Sequence, residues 1–304
     1  MSTPHIIRTV LKGIIPEATR SKYHNFVATS KRKRSVSKAR IAFERADKTP
    51  SWLDGDTLDE LQAIYPLPPF RRYDPEALKS RGDQRASELA TMIPDAGTFL
   101  ELGCGDGMVS AALQRNGKAT HAIDLDGAMF DERAVAQGVS FAEMDALHLK
   151  FKDQQFDAVF TYDGFEHFAE PEQVLREVIR VTKTGGYFYI NCAPLYFSPR
   201  GLHAYRRISV PYCQHLFSPD VLADFALKKD GKPLEPPYTN KWPVEAFREL
   251  WDKYTSSLAC IKYKEFEDYS SVALIEKYPS CFRGKTDYFD NLVVAKIEAL
   301  FKRV

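Results

Sequence analysis

Long apolar runs are missing from this 304-residue chain, and its cysteines are few. No stretch approaches the roughly 20 consecutive apolar residues that a membrane-spanning helix needs. The five cysteines, at 104, 192, 213, 260 and 281, are odd in number, widely spaced and without a C-x-x-C pair. That excludes a disulfide scaffold and a zinc ribbon, and it points to a reduced, cytoplasmic protein. The N-terminus lacks the continuous apolar core and small-residue cleavage site of a signal peptide. Net charge is also scarce, at +1, so the molecule as a whole is no polycation and nucleic acid is not an expected partner. Internal repeats and low-complexity tracts are absent too. The remainder, 44% hydrophobic and 27% charged, is ordinary globular material, long enough for one well-buried domain with additions.

The charge is unevenly placed. Residues 1–50 hold twelve Lys/Arg and only three Asp/Glu, with Lys31-Arg32-Lys33-Arg34 at the centre. This segment reads as helical and basic: a solvated helix face or arm first, with a peripheral contact for an anionic membrane surface or acidic substrate, or a nuclear-localisation or nucleic-acid patch, as alternatives. A short amphipathic helix is expected around residues 58–64. The prolines of Pro66-Leu67-Pro68-Pro69 then fix an extended connector. Another helix is expected over 75–92. Residues 1–92 are therefore read as a basic helical extension or cap, and 93–304 as the main domain.

From residue 97 short apolar runs alternate with helical segments. Strands are expected at 98–102, 119–123, 139–142, 156–161 and 187–192, with helices at 108–115, 129–137 and 171–182. Pro171 at the start of the last helix and Gly185-Gly186 beyond its end follow the usual punctuation. Repeated βα units imply a mostly parallel α/β sheet with helices on both faces. Residues 193–257 break the rhythm with a Pro-, Tyr- and His-rich insertion, read as a lid after the fifth strand. It carries helices near 219–227 and 244–256. Two further strands, 260–266 and 291–297, bring the expected total to seven, with 271–277 read as helix.

The strongest local feature is Glu101-Leu102-Gly103-Cys104-Gly105-Asp106-Gly107, where a buried strand feeds a turn with glycine at every second position. Glycine tolerates positive φ and lets a ligand approach the backbone. The spacing is G-x-G-x-G, not the dinucleotide G-x-G-x-x-G. An acid two residues ahead of the first glycine would repel a pyrophosphate and suits a ligand with a cationic end. Asp124, at the end of the next strand, is placed to accept both hydroxyls of a ribose.

These residues resemble motif I of the class I, Rossmann-like methyltransferases, which use S-adenosylmethionine and release S-adenosylhomocysteine. The resemblance continues through Asp145, at the position that receives the adenine amino group, through Phe156-Asp157-Ala158-Val159-Phe160, and through Leu175 to Gly186. It covers 97–192 well and the first 90 residues not at all. The cofactor set it implies is Glu101, Gly103, Cys104, Gly105, Gly107, Asp124, Leu125, Asp145, Ala146 and Tyr162.

Tyr162-Asp163-Gly164-Phe165-Glu166-His167 resembles the E-x-x-E-H element of ubiquinone-pathway O-methyltransferases, with Asp in place of the first Glu. There the acids and histidine are associated with a divalent metal, so Asp163, Glu166 and His167 are candidate ligands, magnesium first. The bland alternative is a histidine that caps or packs. In the lid, His203 and His215 join His167 as candidate general bases, since an imidazole titrates near neutrality. The lid's tyrosines, histidines and arginines suit a small polar or glycan acceptor, and an O-directed methyltransferase is the expected activity. Competing expectations are a lipid-quinone-type or protein/nucleic-acid methyltransferase and a non-catalytic S-adenosylmethionine-binding regulator. Nothing in the sequence specifies whether the chain self-associates.

Overall fold

Short apolar runs, buried almost without interruption in the central strands, build a seven-stranded sheet in the computed structural model, which describes residues 17–67 and 74–304. The strands are β1 (Thr98–Leu102), β2 (Ala119–Asp124), β3 (Ser140–Glu143), β4 (Phe156–Tyr162), β5 (Thr182–Cys192), β6 (Leu258–Glu267) and β7 (Val294–Arg303). Their spatial order is β3-β2-β1-β4-β5-β7-β6. The first five are mutually parallel, and β7 runs antiparallel between β5 and β6. Strand order reverses between β1 and β4, the switch point at which open α/β sheets bind ligands.

Successive strand residues face opposite sides, and the two cores follow from that. On one face Leu100, Leu102, Val159, Phe188 and Ile190 pack with Val174, Leu175, Val178 and Val181 of the helix Pro171–Val181, and with Phe247, Leu250 and Trp251 of the helix Val244–Lys253. On the other, Phe99, Ala158, Phe160 and Tyr189 meet Ala86 and Leu89 of the helix Pro75–Met92, and Val109, Ala112 and Leu113 of the helix Met108–Arg115. Each fully buried large side chain contributes about 1.5–3 kcal/mol over its exposed state. Gly82 lets the helix Pro75–Met92 lie close on its neighbour, because a Cβ there would collide with the Met108 carbonyl.

Several boundaries differ from the sequence pattern. The last strand begins at 294, not 291, because residues 289–293 form a helical turn whose Asn291 Oδ1 accepts the Val244 N–H at 2.7 Å. Gly185-Gly186 lie inside β5, where Gly185 has φ +79° and a Cβ on Gly186 would stand 2.8 Å from the Asp157 carbonyl. The expected helix at 129–137 shrinks to Glu132–Ala136 after a 3-10 turn at Gly127–Met129, whose backbone N–H at Gly127 is held by Glu143 Oε1 at 3.0 Å. The segment 272–277 is helical.

The chain forms two compact units. Among the described residues, one comprises 17–51 with 269–289, and the other 52–67 and 74–268 with 290–304. Within the first, Phe43 packs edge-on against Phe289 and Lys48 pairs with Asp287 at 2.6 Å. Lys31–Arg34 lie exposed on the helix Glu17–Arg45, with the Arg32 guanidinium 5.7 Å from the Tyr269 ring centre. The second unit holds the whole sheet, and the helix Pro75–Met92 belongs to it. Among the described residues no helix is long and apolar enough to cross a membrane.

Candidate active site

The turn after β1 is built by its glycines. Gly103, Gly105 and Gly107 have φ of +64°, +53° and +67°, a region that a side chain resists. They do different jobs. Gly103 and Gly105 line a cavity of about 660 Å³ at the carboxyl end of the sheet. Gly107 lines nothing; it caps the following helix, and a Cβ on it would run into the Phe141 ring. The volume falls within the range of small-molecule sites.

Two carboxylates are fixed in this cavity. Asp124 accepts the Gly105 N–H at 2.8 Å through Oδ2 and the Leu125 N–H at 2.8 Å through Oδ1. Asp145 accepts the Leu147 N–H at 2.9 Å. Leu125, Met144, Ala146, Leu147 and Phe168 supply apolar walls. Leu125 is 74% exposed, an apolar side chain held at the mouth. Open space around Gly105, apolar walls and two oriented carboxylates fit a nucleoside with a cationic tail: acids for hydroxyl and amino groups, apolar surface for the base.

Glu101 is elsewhere. Its side chain is buried beneath the turn, where Oε2 accepts the Ser110 hydroxyl at 2.6 Å and the Ser110 N–H at 3.1 Å. Burial raises its carboxyl to about 8 despite those bonds. It therefore holds the start of the Met108–Arg115 helix and does not line the cavity. Cys104 and Tyr162 do not line it either. Burial raises the Cys104 thiol far above its ordinary range. The Tyr162 hydroxyl donates to the Arg85 carbonyl at 3.2 Å.

A second cavity of about 930 Å³ adjoins the first, and the two share Met129, Asp163, His167 and Pro237. Its other walls include Ala193, Pro194, His203, Tyr205, Arg206 and Lys232. The insertion after β5 thus does form the outer wall. Its strap at 237–240 is pinned to the Phe165–His167 turn: Asn240 donates to the Phe165 carbonyl at 3.0 Å and the Glu166 carbonyl at 2.9 Å, and His167 Nδ1 meets the Tyr238 carbonyl. Arg207 is bound to Asp230 and to carbonyls at Ala226, Lys232 and Pro233, so it staples the lid.

At the junction the imidazoles of His167 and His203 lie with ring centres 4.9 Å apart and edges crossed at 77°. Burial lowers His203 to about 4, with a partly opposing bond from Nε2 to the Pro194 carbonyl at 3.0 Å. It is neutral at pH 7. His215 is not at the junction. It is buried, stacked on Phe197 at 5.5 Å, and its Nε2 lies 3.1 Å from the Phe197 carbonyl. It packs in the interior, and of the three candidate bases His167 and His203 line the second cavity.

The expected metal set does not assemble as read. Asp163 has φ +52°, which turns its carboxylate to Arg85, 2.6 Å away. Glu166 is buried, with Oε1 accepting the Ala193 N–H at 3.0 Å. Burial, reinforced by the Asp163 charge, raises its carboxyl well above the usual range. Among the described residues the group that could hold a cation is Glu166, His167 and His203, whose donor atoms lie within 4.8 Å of one another.

The residue most plainly missed by the sequence reading is Arg85. Its guanidinium lies 4.4 Å over the Tyr162 ring and closes on Asp163. It arrives on a helix whose sequence carries no cofactor motif, so only the packing of Pro75–Met92 reveals it. Met129, Phe168 and Tyr238 likewise line the first cavity from unremarkable positions.

Residues 100–190 match the family described as "Methyltransferase domain". A demethylmenaquinone methyltransferase of Clavibacter sepedonicus is 33% identical over 48% of this chain and 64% of its own length. A ubiquinone biosynthesis O-methyltransferase of Pseudomonas paraeruginosa is 28% identical over 38% of this chain and 59% of its own. The chain thus spans less than two thirds of these curated relatives. Among solved structures, PH0226 protein from Pyrococcus horikoshii OT3 aligns with 76% of this chain and 93% of its own, at 18% identity and a TM-score of 0.48. The likeness to methyltransferases thus covers residues 100–190, the segment that carries the glycine turn and most of β1 to β5.

Proposed function

We propose that this chain transfers a methyl group from S-adenosylmethionine to a hydroxyl of a small polar acceptor, a sugar or a comparable polyhydroxylated molecule. The observation that carries the reading is the shared wall. Two cavities meet at Asp163 and His167, so ligands seated one in each are brought together at a pair of imidazoles.

Asp124 holds the ribose and Asp145 the adenine amino group in the first cavity. S-adenosylmethionine supplies an electrophilic methyl, which leaves sulfur with the S–C electron pair remaining there. The chain positions the acceptor oxygen and takes its proton. The imidazole of His203 or His167 accepts that proton as the new O–C bond forms. The strap held by Asn240 and His167 shields the junction from water and keeps the acceptor in line. Tyr205, Arg206, Asp230, Lys232 and Glu235 around the second cavity support a polar acceptor.

A second reading is methylation at a ring carbon of a quinol lipid. It is supported by the relatives' names and by Pro194, Pro233, Pro236 and Pro237 in the lining of the second cavity. Labelled methyl from S-adenosylmethionine, offered to separated polar, glycan and lipid fractions, distinguishes the two. Label in a polar product, with the methyl on oxygen by carbon-13 NMR, is the expected result. A carbon-bound methyl in the lipid fraction overturns it in favour of the second reading. His203→Ala is expected to lower kcat roughly 10²-fold, the lower end of general-base effects, with S-adenosylmethionine affinity unchanged by calorimetry.

A further inference from the structure

We infer that Glu166, His167 and His203 form a binding site for a first-row transition-metal cation of the zinc or manganese class, at the junction of the two cavities. Three observations carry it. Their donor atoms lie within 4.8 Å of one another. Glu166 Oε2 is buried and lacks a hydrogen-bond partner among the described residues, although Oε1 of the same carboxyl is bonded. An orphaned buried carboxylate oxygen costs free energy that a cation would recover.

The third observation is the fixing of both tautomers. A carbonyl only accepts, so His167 Nδ1 must donate to Tyr238 and His203 Nε2 must donate to Pro194. Each ring is left with its lone pair on the other nitrogen. A ring N–H bonded to a backbone carbonyl is the usual outer-shell partner of a metal-ligating histidine. Bond lengths near 2.0–2.2 Å require the three side chains to draw together by about 1 Å.

Two imidazoles and one carboxylate favour zinc, manganese or iron(II) over magnesium, which prefers oxygen donors and retained water. This departs from a magnesium site on Asp163, Glu166 and His167: Asp163 is tied to Arg85, and the third ligand comes from the lid. Three protein ligands leave a coordination position open, here beside the second cavity. In the methyl-transfer reading, on which this part rests, the cation replaces the imidazole as the activating group: it makes a bound acceptor hydroxyl acidic enough to lose its proton to solvent. Because His203 lies in the insertion and Glu166 in the turn after β4, binding also ties the lid to the sheet.

The test is metal binding itself, independent of turnover. The full chain, stripped with chelator, is titrated with Zn²⁺, Mn²⁺, Mg²⁺ and Co²⁺ by calorimetry and by the visible spectrum of the cobalt form. One equivalent of Zn²⁺ or Co²⁺ is expected, bound at least 100-fold more tightly than Mg²⁺. Glu166→Gln and His203→Gln are each expected to weaken it at least 10-fold, and Asp163→Asn to leave it unchanged. S-adenosylmethionine binding by each variant verifies that the fold survives. No stoichiometric binding, or equal binding by the His203 and Glu166 variants, overturns the site. A loss confined to Asp163→Asn moves the ion elsewhere and also overturns it. Because the readout is binding, failure of the site leaves the proposed function standing, and failure of methyl transfer leaves the site standing.

Discussion

At the scale of single residues, the nucleotide turn separates groups that look alike in the sequence. Asp124 and Asp145 reach the cavity and Glu101 does not. For Asp124→Ala, the loss of one charge-assisted hydrogen-bonding group, worth about 1.5–3 kcal/mol, is expected to weaken S-adenosylmethionine binding by roughly 10–100-fold in calorimetry. Glu101 makes a different prediction. Its folded carboxyl titrates at about 8 against an ordinary 4.5. A group raised in this way contributes its full stability below 4.5 and loses it as pH rises through 8. The slope is up to about 1.4 kcal/mol per pH unit between those values. Glu101→Gln, which imitates the neutral carboxyl, should gain on the parent protein in urea unfolding from pH 5 to 8. A constant difference across that range would show that Glu101 is ionised when folded.

At the scale of elements, one side chain ties together the starts of three strands. Burial alone would raise Asp157, but the Lys183 ammonium, the Thr98 hydroxyl and the N–H groups of Thr98 and Gly97 hold it down to about 2. A depressed carboxyl stabilises above its unfolded value, near 4, and loses that contribution as pH falls toward 2. Because the group is about one third exposed, we expect Asp157→Asn to cost roughly 1–2 kcal/mol at pH 7. That difference should fade in acid, as urea unfolding at pH 7 and pH 3 would measure. Gly107→Ala is expected to destabilise by roughly 1–3 kcal/mol, through positive φ and a collision with Phe141. Its readout is thermal unfolding.

At the scale of the molecule, ligand binding and stability are linked. S-adenosylmethionine at 100 times its Kd should stabilise the folded chain by about 2.7 kcal/mol, seen as an upward shift of the calorimetric unfolding transition. Asp124→Ala should cut that stabilisation to about 0.4–1.4 kcal/mol at the same ligand concentration.

The sequence by itself determined the sheet and the glycine turn. Strand alternation, helix punctuation and glycine spacing act over a few residues, so a single stretch of chain contains them whole. Asp124 and Asp145 were legible for the same reason: each ends a strand that the pattern locates. Arg85, the burial of Glu101 and His215, and the meeting of His167 with His203 were decided only by tertiary structure. Those outcomes depend on which face of a distant helix or lid turns inward, and that is set by packing between segments tens of residues apart. The positive φ of Asp163 belongs with them. It brings one carboxylate against Arg85, which no spacing rule along the chain expresses.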